Sequence, residues 1–393
     1  EDIVDRCIEC GFCEPLCPSH RLTLSPRQRI VSVRELARRA ANGEPAGSIG
    51  EDYAYMGLDT CAGCGLCSTA CPVGIDTGDL TRRLRGRKMS GGGRRIGEWT
   101  ASNFGTLATA SRLGLKAGHA VSGVFGDNFL SRVAGGAWKS RMPRAGKAPA
   151  ARTTEGDPVV YFPACGGRIF GPSDAGEAQL GDVIMTLLTR AGYAPRLPQG
   201  FDKLCCGQML ASKGLPDAAD SMSRTLEAAL TEASEGGRYP VIMDASACTV
   251  RMQKLLAGRL KLYDFHEFAA DALLPRLMIA KQAGPVALHV NCSVRRTGSD
   301  SKLRKVLAAC VEQIIEPAGV TCCGFAGDRG FVVPELNKHA LRKIHDDLPA
   351  GCACGVSTNR TCEIGLTAET GRSFRSIAYL LEECSRKENA MAC

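Results

Sequence analysis

The chemistry of this chain lies in the spacing of its 21 cysteines among 393 residues. Two runs repeat one pattern: Cys7-x-x-Cys10-x-x-Cys13-x-x-x-Cys17 before Pro18, and Cys61-x-x-Cys64-x-x-Cys67-x-x-x-Cys71 before Pro72. Three thiolates at steps of three can wrap a short loop around one face of an iron–sulfur cubane. The fourth, after a longer step, points away toward a second cubane, and the proline stops it following the loop. The eight cysteines are therefore read as ligands of two [4Fe–4S] clusters. A zinc ribbon would use two ligand pairs per ion, not runs of three plus one, and a chain of this size has no need of a disulfide framework. Such a protein carries electrons.

Eight further cysteines form an internal repeat. Its copies open with the apolar segments Pro158–Cys165 and Pro285–Cys292, continue through helical stretches (Asp174 to Ala191; Ser301 to Val311), and reach the doublets Cys205-Cys206-Gly207 and Cys322-Cys323-Gly324. Each closes with another strand and a fourth cysteine, Cys248 or Cys362. Adjacent cysteines on a helix or strand cannot both face inward, but a loop ended by glycine lets both thiols face one pocket. Cys165, Cys205, Cys206, Cys248, Cys292, Cys322, Cys323 and Cys362 are thus candidates for a further cluster or for redox thiols, against the alternative of an inert buried sulfur cluster. Cys310, Cys352, Cys354, Cys384 and Cys393 stand outside these motifs.

The elements that must position these groups follow from the intervening residues. Pro26 to Leu36 reads as an amphipathic helix opened by proline, and Asp79 to Leu84 as a helix after the second run. The expected fold is α+β and multidomain. A helical two-cluster domain over 1–85 is followed by a basic helical connector over 86–155, then by α/β modules over 156–280 and 281–393. Strands alternating with helices imply parallel sheets, which gather the cysteines at their carboxyl edge. Gly91-Gly92-Gly93 and the stretch Ala145 to Gly156 are expected to be flexible joints.

Composition narrows the setting. At 44% hydrophobic the chain is globular, with no signal peptide and no apolar run long enough to span a bilayer. Thiolate ligands need a reducing compartment, so the expected location is the cytoplasm. Between Arg82 and Arg152 lie fifteen Lys/Arg and two acids, a net of +13 against +8 for the whole chain. Trp99 and Trp138 share that stretch. It reads either as a connector whose cations pair with acidic neighbours, the favoured reading, or as a peripheral contact with anionic lipid at the inner face of the membrane. Nucleic acid is a weaker third option and is not expected as a partner, since no stacking aromatics interleave with the cations. No Gly-x-Gly-x-x-Gly follows a strand and no phosphate-binding lysine loop is present. Gly324-x-x-Gly327-x-x-Gly330 has the wrong spacing for one. His289, in the strand before Cys292, reads as a core histidine, with tuning of a site as the alternative.

On these residues the chain resembles the iron–sulfur portion of FAD-linked 2-hydroxyacid dehydrogenases. Relatives of that portion are the iron–sulfur subunits of glycolate oxidase and anaerobic glycerol-3-phosphate dehydrogenase, and a heterodisulfide reductase subunit. Cys7-Ile-Glu-Cys10-Gly-Phe-Cys13-Glu-Pro-Leu-Cys17-Pro-Ser19, Thr23 to Ile30, Cys322 to Phe331 and Asn359 to Gly365 look like the C-terminal half of cytochrome-type D-lactate dehydrogenases. His20 and Ala247 depart from the family's usual residues without removing a ligand. The resemblance implies an oxidoreductase whose FAD sits on a flavin domain or flavoprotein upstream of Glu1, with a quinone or cytochrome as acceptor. It further implies that Cys7, Cys10, Cys13 and Cys71 bind one cluster, and Cys61, Cys64, Cys67 and Cys17 the other.

Overall fold

The computed structural model describes residues 2–134, 142–152, 154–174 and 176–386. Trp138 and Cys393 lie outside the described residues. Helix α1, Pro26–Ala41, starts one residue after Ser25, whose hydroxyl caps the Gln28 amide while the Gln28 side chain returns a bond to the Ser25 amide. This reciprocal pair satisfies two backbone donors that the first turn would otherwise leave open. Helix α2, Thr77–Lys88, is capped by Asp76. The two pack through Ile30, Leu80 and Ile75 against Ile3 and Val4, a small core under the first cysteine run.

Helices α3 (Gly91–Ser102), α4 (Phe104–Phe125) and α5 (Asp127–Val133) follow. The expected joint at Gly91-Gly92-Gly93 is instead the first turn of α3, where the Ser90 hydroxyl accepts from the Gly93 amide; the cap outweighs the poor helix propensity of glycine. Nor is the stretch from 145 free. Ala145 bridges Phe170, and the Gly146 amide donates to the Ile169 carbonyl at 2.7 Å.

Two sheets of identical topology complete the chain. The first comprises β1 (Asp157–Phe162), β2 (Tyr193–Arg196), β3 (Val241–Met243) and β4 (Leu262–Asp264), in the order β2-β1-β3-β4. The second comprises β5 (Gln282–Leu288), β6 (Val311–Ile315), β7 (Cys354–Ser357) and β8 (Ser373–Ser376), in the order β6-β5-β7-β8. All pairings are parallel. Strands buried on both faces read as apolar runs rather than alternations, as Val159 to Phe162 shows. The fourth cysteines follow a strand but sit on helices, Ser246–Leu256 and Arg360–Thr370.

One continuous core joins the sheets. Leu187 and Leu188 of the Leu180–Arg190 helix pack with Leu380 and Leu381 of the Ile377–Cys384 helix. At 0% exposure each such leucine stabilises by about 1.5–3 kcal/mol. At the other edge, Ser246 Oγ lies 2.7 Å from Thr358 Oγ1, pairing the segments that carry Cys248 and Cys362.

Candidate iron–sulfur sites

The first run loops around a cavity lined by Cys7, Cys10, Cys13 and Cys71, among other residues. Cys71 reaches this cavity from the second run, so the two runs cross. Burial pushes the Cys13 thiol up to about 11, with the nearby Cys71 adding to the effect. The cavity lies at the surface: Cys10 is exposed, and Ile8 and Phe12 beside it are 63% and 65% exposed. Four of its lining residues are thiols, the soft ligand that iron–sulfur clusters take, and Glu9 among the others is paired with Arg34. Among the described residues no three Cys, His, Asp or Glu converge tightly enough to hold a single metal ion. Thiols spread around a cavity suit a larger group.

The second site is interior. Cys61 and Cys67 are buried. Arg29, 1% exposed, donates through Nε to the Gly57 carbonyl at 2.8 Å and through a terminal nitrogen to Cys17 Sγ at 3.7 Å. Burial raises the Cys61 thiol, but Arg29 and Arg85 outweigh it and hold that thiol below its ordinary value. Arg85 donates to the Leu58 and Cys61 carbonyls at 2.6 and 2.7 Å. Two buried guanidinium groups therefore flank Cys61 and favour its thiolate. Sequence reading passed over both arginines, because nothing in their local pattern separates them from the many surface arginines of this chain.

Both modules gather their four cysteines. In the first, Cys205 Sγ donates to Cys165 Sγ at 3.6 Å, and Cys206 bonds both Cys205 and Cys248. In the second, Cys323 Sγ donates to Cys362 Sγ at 3.0 Å, and Cys322 bonds both Cys292 and Cys323. Cys165 and Cys292 each begin a helix directly after a strand, which places them at the carboxyl edges of the sheets. Gly207 and Gly324 take φ of +78° and +70°, and a β-carbon there would come within 2.2 Å of the Ala219 carbonyl or 2.6 Å of the Leu336 carbonyl. Only glycine allows both the left-handed turn and that close packing.

The modules then diverge. The Cys165 thiol is pushed well above its ordinary value, first by its bond with Cys205 and then by burial. The Cys292 thiol is held down to about 7 by its bond with Cys322 and, against burial, by Arg296. Ile169 occupies the position of Arg296 in the first module. Cys64 of the second run also enters here, sharing a hydrogen bond with Cys322 that, with burial, raises the Cys64 thiol well above its ordinary value. The N-terminal domain is clamped at this edge: His339 Nε2 lies 2.8 Å from the His20 carbonyl, Tyr55 donates to Glu335 at 2.6 Å, and Arg329 donates to the Asp59 carbonyl at 2.8 Å. Asp328 pairs with Lys213 of the first module, so Asp328 and Arg329 each tie the second module to another domain.

Among the leftover cysteines, Cys384 Sγ donates to the Cys310 carbonyl at 3.4 Å and Cys352 Sγ to the Cys354 carbonyl at 3.4 Å. All four are buried, and Cys352 shares a core cluster with Cys323 and Cys362. His289 is 3% exposed, with Nδ1 3.0 Å from Ser357 Oγ; burial lowers it to about 3, so it is neutral at ordinary pH.

Residues 3–75 match the 4Fe-4S dicluster domain family, and residues 159–253 and 286–367 match the cysteine-rich domain family. The probable glycolate oxidase iron–sulfur subunit of Bacillus subtilis (strain 168) is 33% identical over 85 residues, which are 20% of this chain and 18% of that protein. The chain therefore spans, in that match, less than a fifth of the relative's length. On the crossed thiol sites and these matches, the chain is an iron–sulfur protein: a helical 4Fe-4S dicluster domain followed by two α/β cysteine-rich domains.

Proposed function

We propose that this chain is the electron-relay part of a flavin-dependent 2-hydroxyacid oxidoreductase, with D-lactate or glycolate as the substrate class. Cys7, Cys10, Cys13 and Cys71 would hold one [4Fe–4S] cluster, and Cys61, Cys64, Cys67 and Cys17 the other. Such clusters supply one-electron chemistry, which suits hand-over from a two-electron flavin on a partner domain or subunit to a quinone or cytochrome. The observation that carries this reading is Cys71 lining the cavity of the first run.

The chain's own residues give the relay a direction. Exposed Cys10, Ile8 and Phe12 present the first site to a partner. Arg29 and Arg85 stabilise negative charge at the interior site. Cys64 then leads to the second module through Cys322. That contact also favours a second reading, in which the thiols of Cys292, Cys322, Cys323 and Cys362 are themselves a redox site or hold a further cluster. The test is anaerobic mixing of the reconstituted chain with a flavoprotein 2-hydroxyacid dehydrogenase and either D-lactate or glycolate. Bleaching of the cluster absorbance only when flavoprotein and substrate are both present supports the relay; no bleaching with either acid refutes it. More than about eight irons per chain would place a further cluster in that module, since about eight fills the two runs.

A further inference from the structure

Helix α4 is 22 residues long, and its residues divide into two unequal parts. Phe104 and Ala108 pack into the core of the first module, and the buried positions end at Leu115 and Gly118. Beyond Gly118 the helix runs off the module. Val121, Val124 and Phe125 are 36%, 75% and 62% exposed, and across the turn at Gly126 helix α5 adds Phe129 at 47% and Val133 at 69%. Phe125 and Phe129 stack on each other at 5.1 Å between ring centres, so the two helices form one finger with an apolar tip.

Burying such side chains would stabilise the finger, yet among the described residues nothing covers them. The charge around them is mostly positive, the acid at the tip being Asp127, which accepts from the Ser122 hydroxyl. No acidic residue occurs between Glu98 and Asp127, while Arg112, Lys116 and Arg132 lie along the same two helices. Among the described residues none of these three cations is in an ion pair, so the pairing expected of a basic connector is not made here. Arg112 reaches only the hydroxyl of Thr109, at 3.1 Å. A second copy of the chain would bring like charges together. An anionic bilayer offers both an apolar layer for the aromatic tip and negative headgroups for the cations. Among the described residues no helix is long and apolar enough to cross a membrane, so contact by this finger would be from one side.

We infer that the α4–α5 finger is a membrane anchor that inserts its apolar tip into the headgroup layer of an anionic bilayer. The chain, loaded with iron and sulfide, is spun down with vesicles of phosphatidylcholine alone or mixed with phosphatidylglycerol. Sedimentation is expected with the anionic vesicles, weakening as salt is raised. The double variant Val124→Asp/Phe125→Asp is expected to weaken it at least about tenfold, and Lys116→Glu/Arg132→Glu to do so by a comparable factor. All four side chains are solvent-facing, and unchanged iron content and visible absorbance show that each variant folds. Equal binding to neutral and anionic vesicles, no binding, or binding that survives both variants overturns the inference. So does loss of complex formation with the flavoprotein in these variants while vesicle binding is unchanged, which would make the finger a protein-docking surface.

Discussion

The thiols of Cys64 and Cys322 share a hydrogen bond across 258 positions of sequence, joining the second cysteine run to the doublet of the second module. Among the described residues the first module makes no equivalent contact: the thiols of its doublet bond those of Cys165 and Cys248. The repeat is therefore symmetric in fold and asymmetric in wiring. Cys322→Ser is expected to alter the paramagnetic resonance signal of the second-run cluster, and Cys206→Ser to leave it unchanged. Identical spectra for both variants would sever the proposed route.

The crossing of the runs makes a separate prediction. Cys71→Ser should perturb or abolish the signal of the cluster whose other ligands are Cys7, Cys10 and Cys13, since Cys71 lines that cavity. Cys17→Ser should affect the other signal, because Cys17 lies with Arg29 and Cys61. The reverse pattern in resonance spectra of the two reduced variants would show that each run holds its own cluster.

Arg29 contributes charge as well as structure. In Arg29→Leu the Gly57 carbonyl and the Ser19 hydroxyl each lose a partner at 2.8 Å. Loss of this buried cation is expected to destabilise the fold by about 3 kcal/mol, measured by denaturant unfolding. Removing positive charge beside Cys17 and Cys61 also disfavours adding an electron there. The midpoint potential of the second-run cluster should therefore become more negative in a redox titration, and an unchanged potential would place Arg29 in a purely structural role.

Thiol reactivity should separate the modules in the metal-free chain. With the Cys292 thiol held at about 7, its thiolate forms as pH rises through neutrality. Cys165, raised well above its ordinary value, stays protonated over that range. Alkylation by iodoacetamide, followed by peptide mass mapping, is expected to modify Cys292 with a pH midpoint near 7 and to leave Cys165 nearly untouched at pH 8. Arg296→Ile, which copies Ile169, should move the Cys292 midpoint upward, because the cation that stabilises its thiolate is gone.

Cluster chemistry, the tandem repeat and the parallel α/β class were legible in the sequence because each rests on local pattern. Ligand spacing follows from the size of a cubane, and strands buried on both faces must be apolar throughout. The helix opened by Pro26 was legible for the same reason, since its cap lies within four residues. The turn at Gly91 was misread as a joint because glycine counts against a helix unless a cap offsets it, and Ser90 does so.

What only the tertiary structure decided are relations between distant segments. The selection of Arg29 and Arg85 from 49 cationic residues depends on burial, which local sequence does not encode. The meeting of Cys64 with Cys322 depends on how the helical domain is clamped by His339, Glu335 and Arg329. The difference between two modules with the same cysteines comes first from how the leading thiol bonds its doublet, Cys292 being lowered by Cys322 and Cys165 raised by Cys205, and then from Arg296; both act only once folding brings these groups together. Spacing along the chain selects the ligands; the dielectric and charge around them, which tune the chemistry, exist only once the chain has folded.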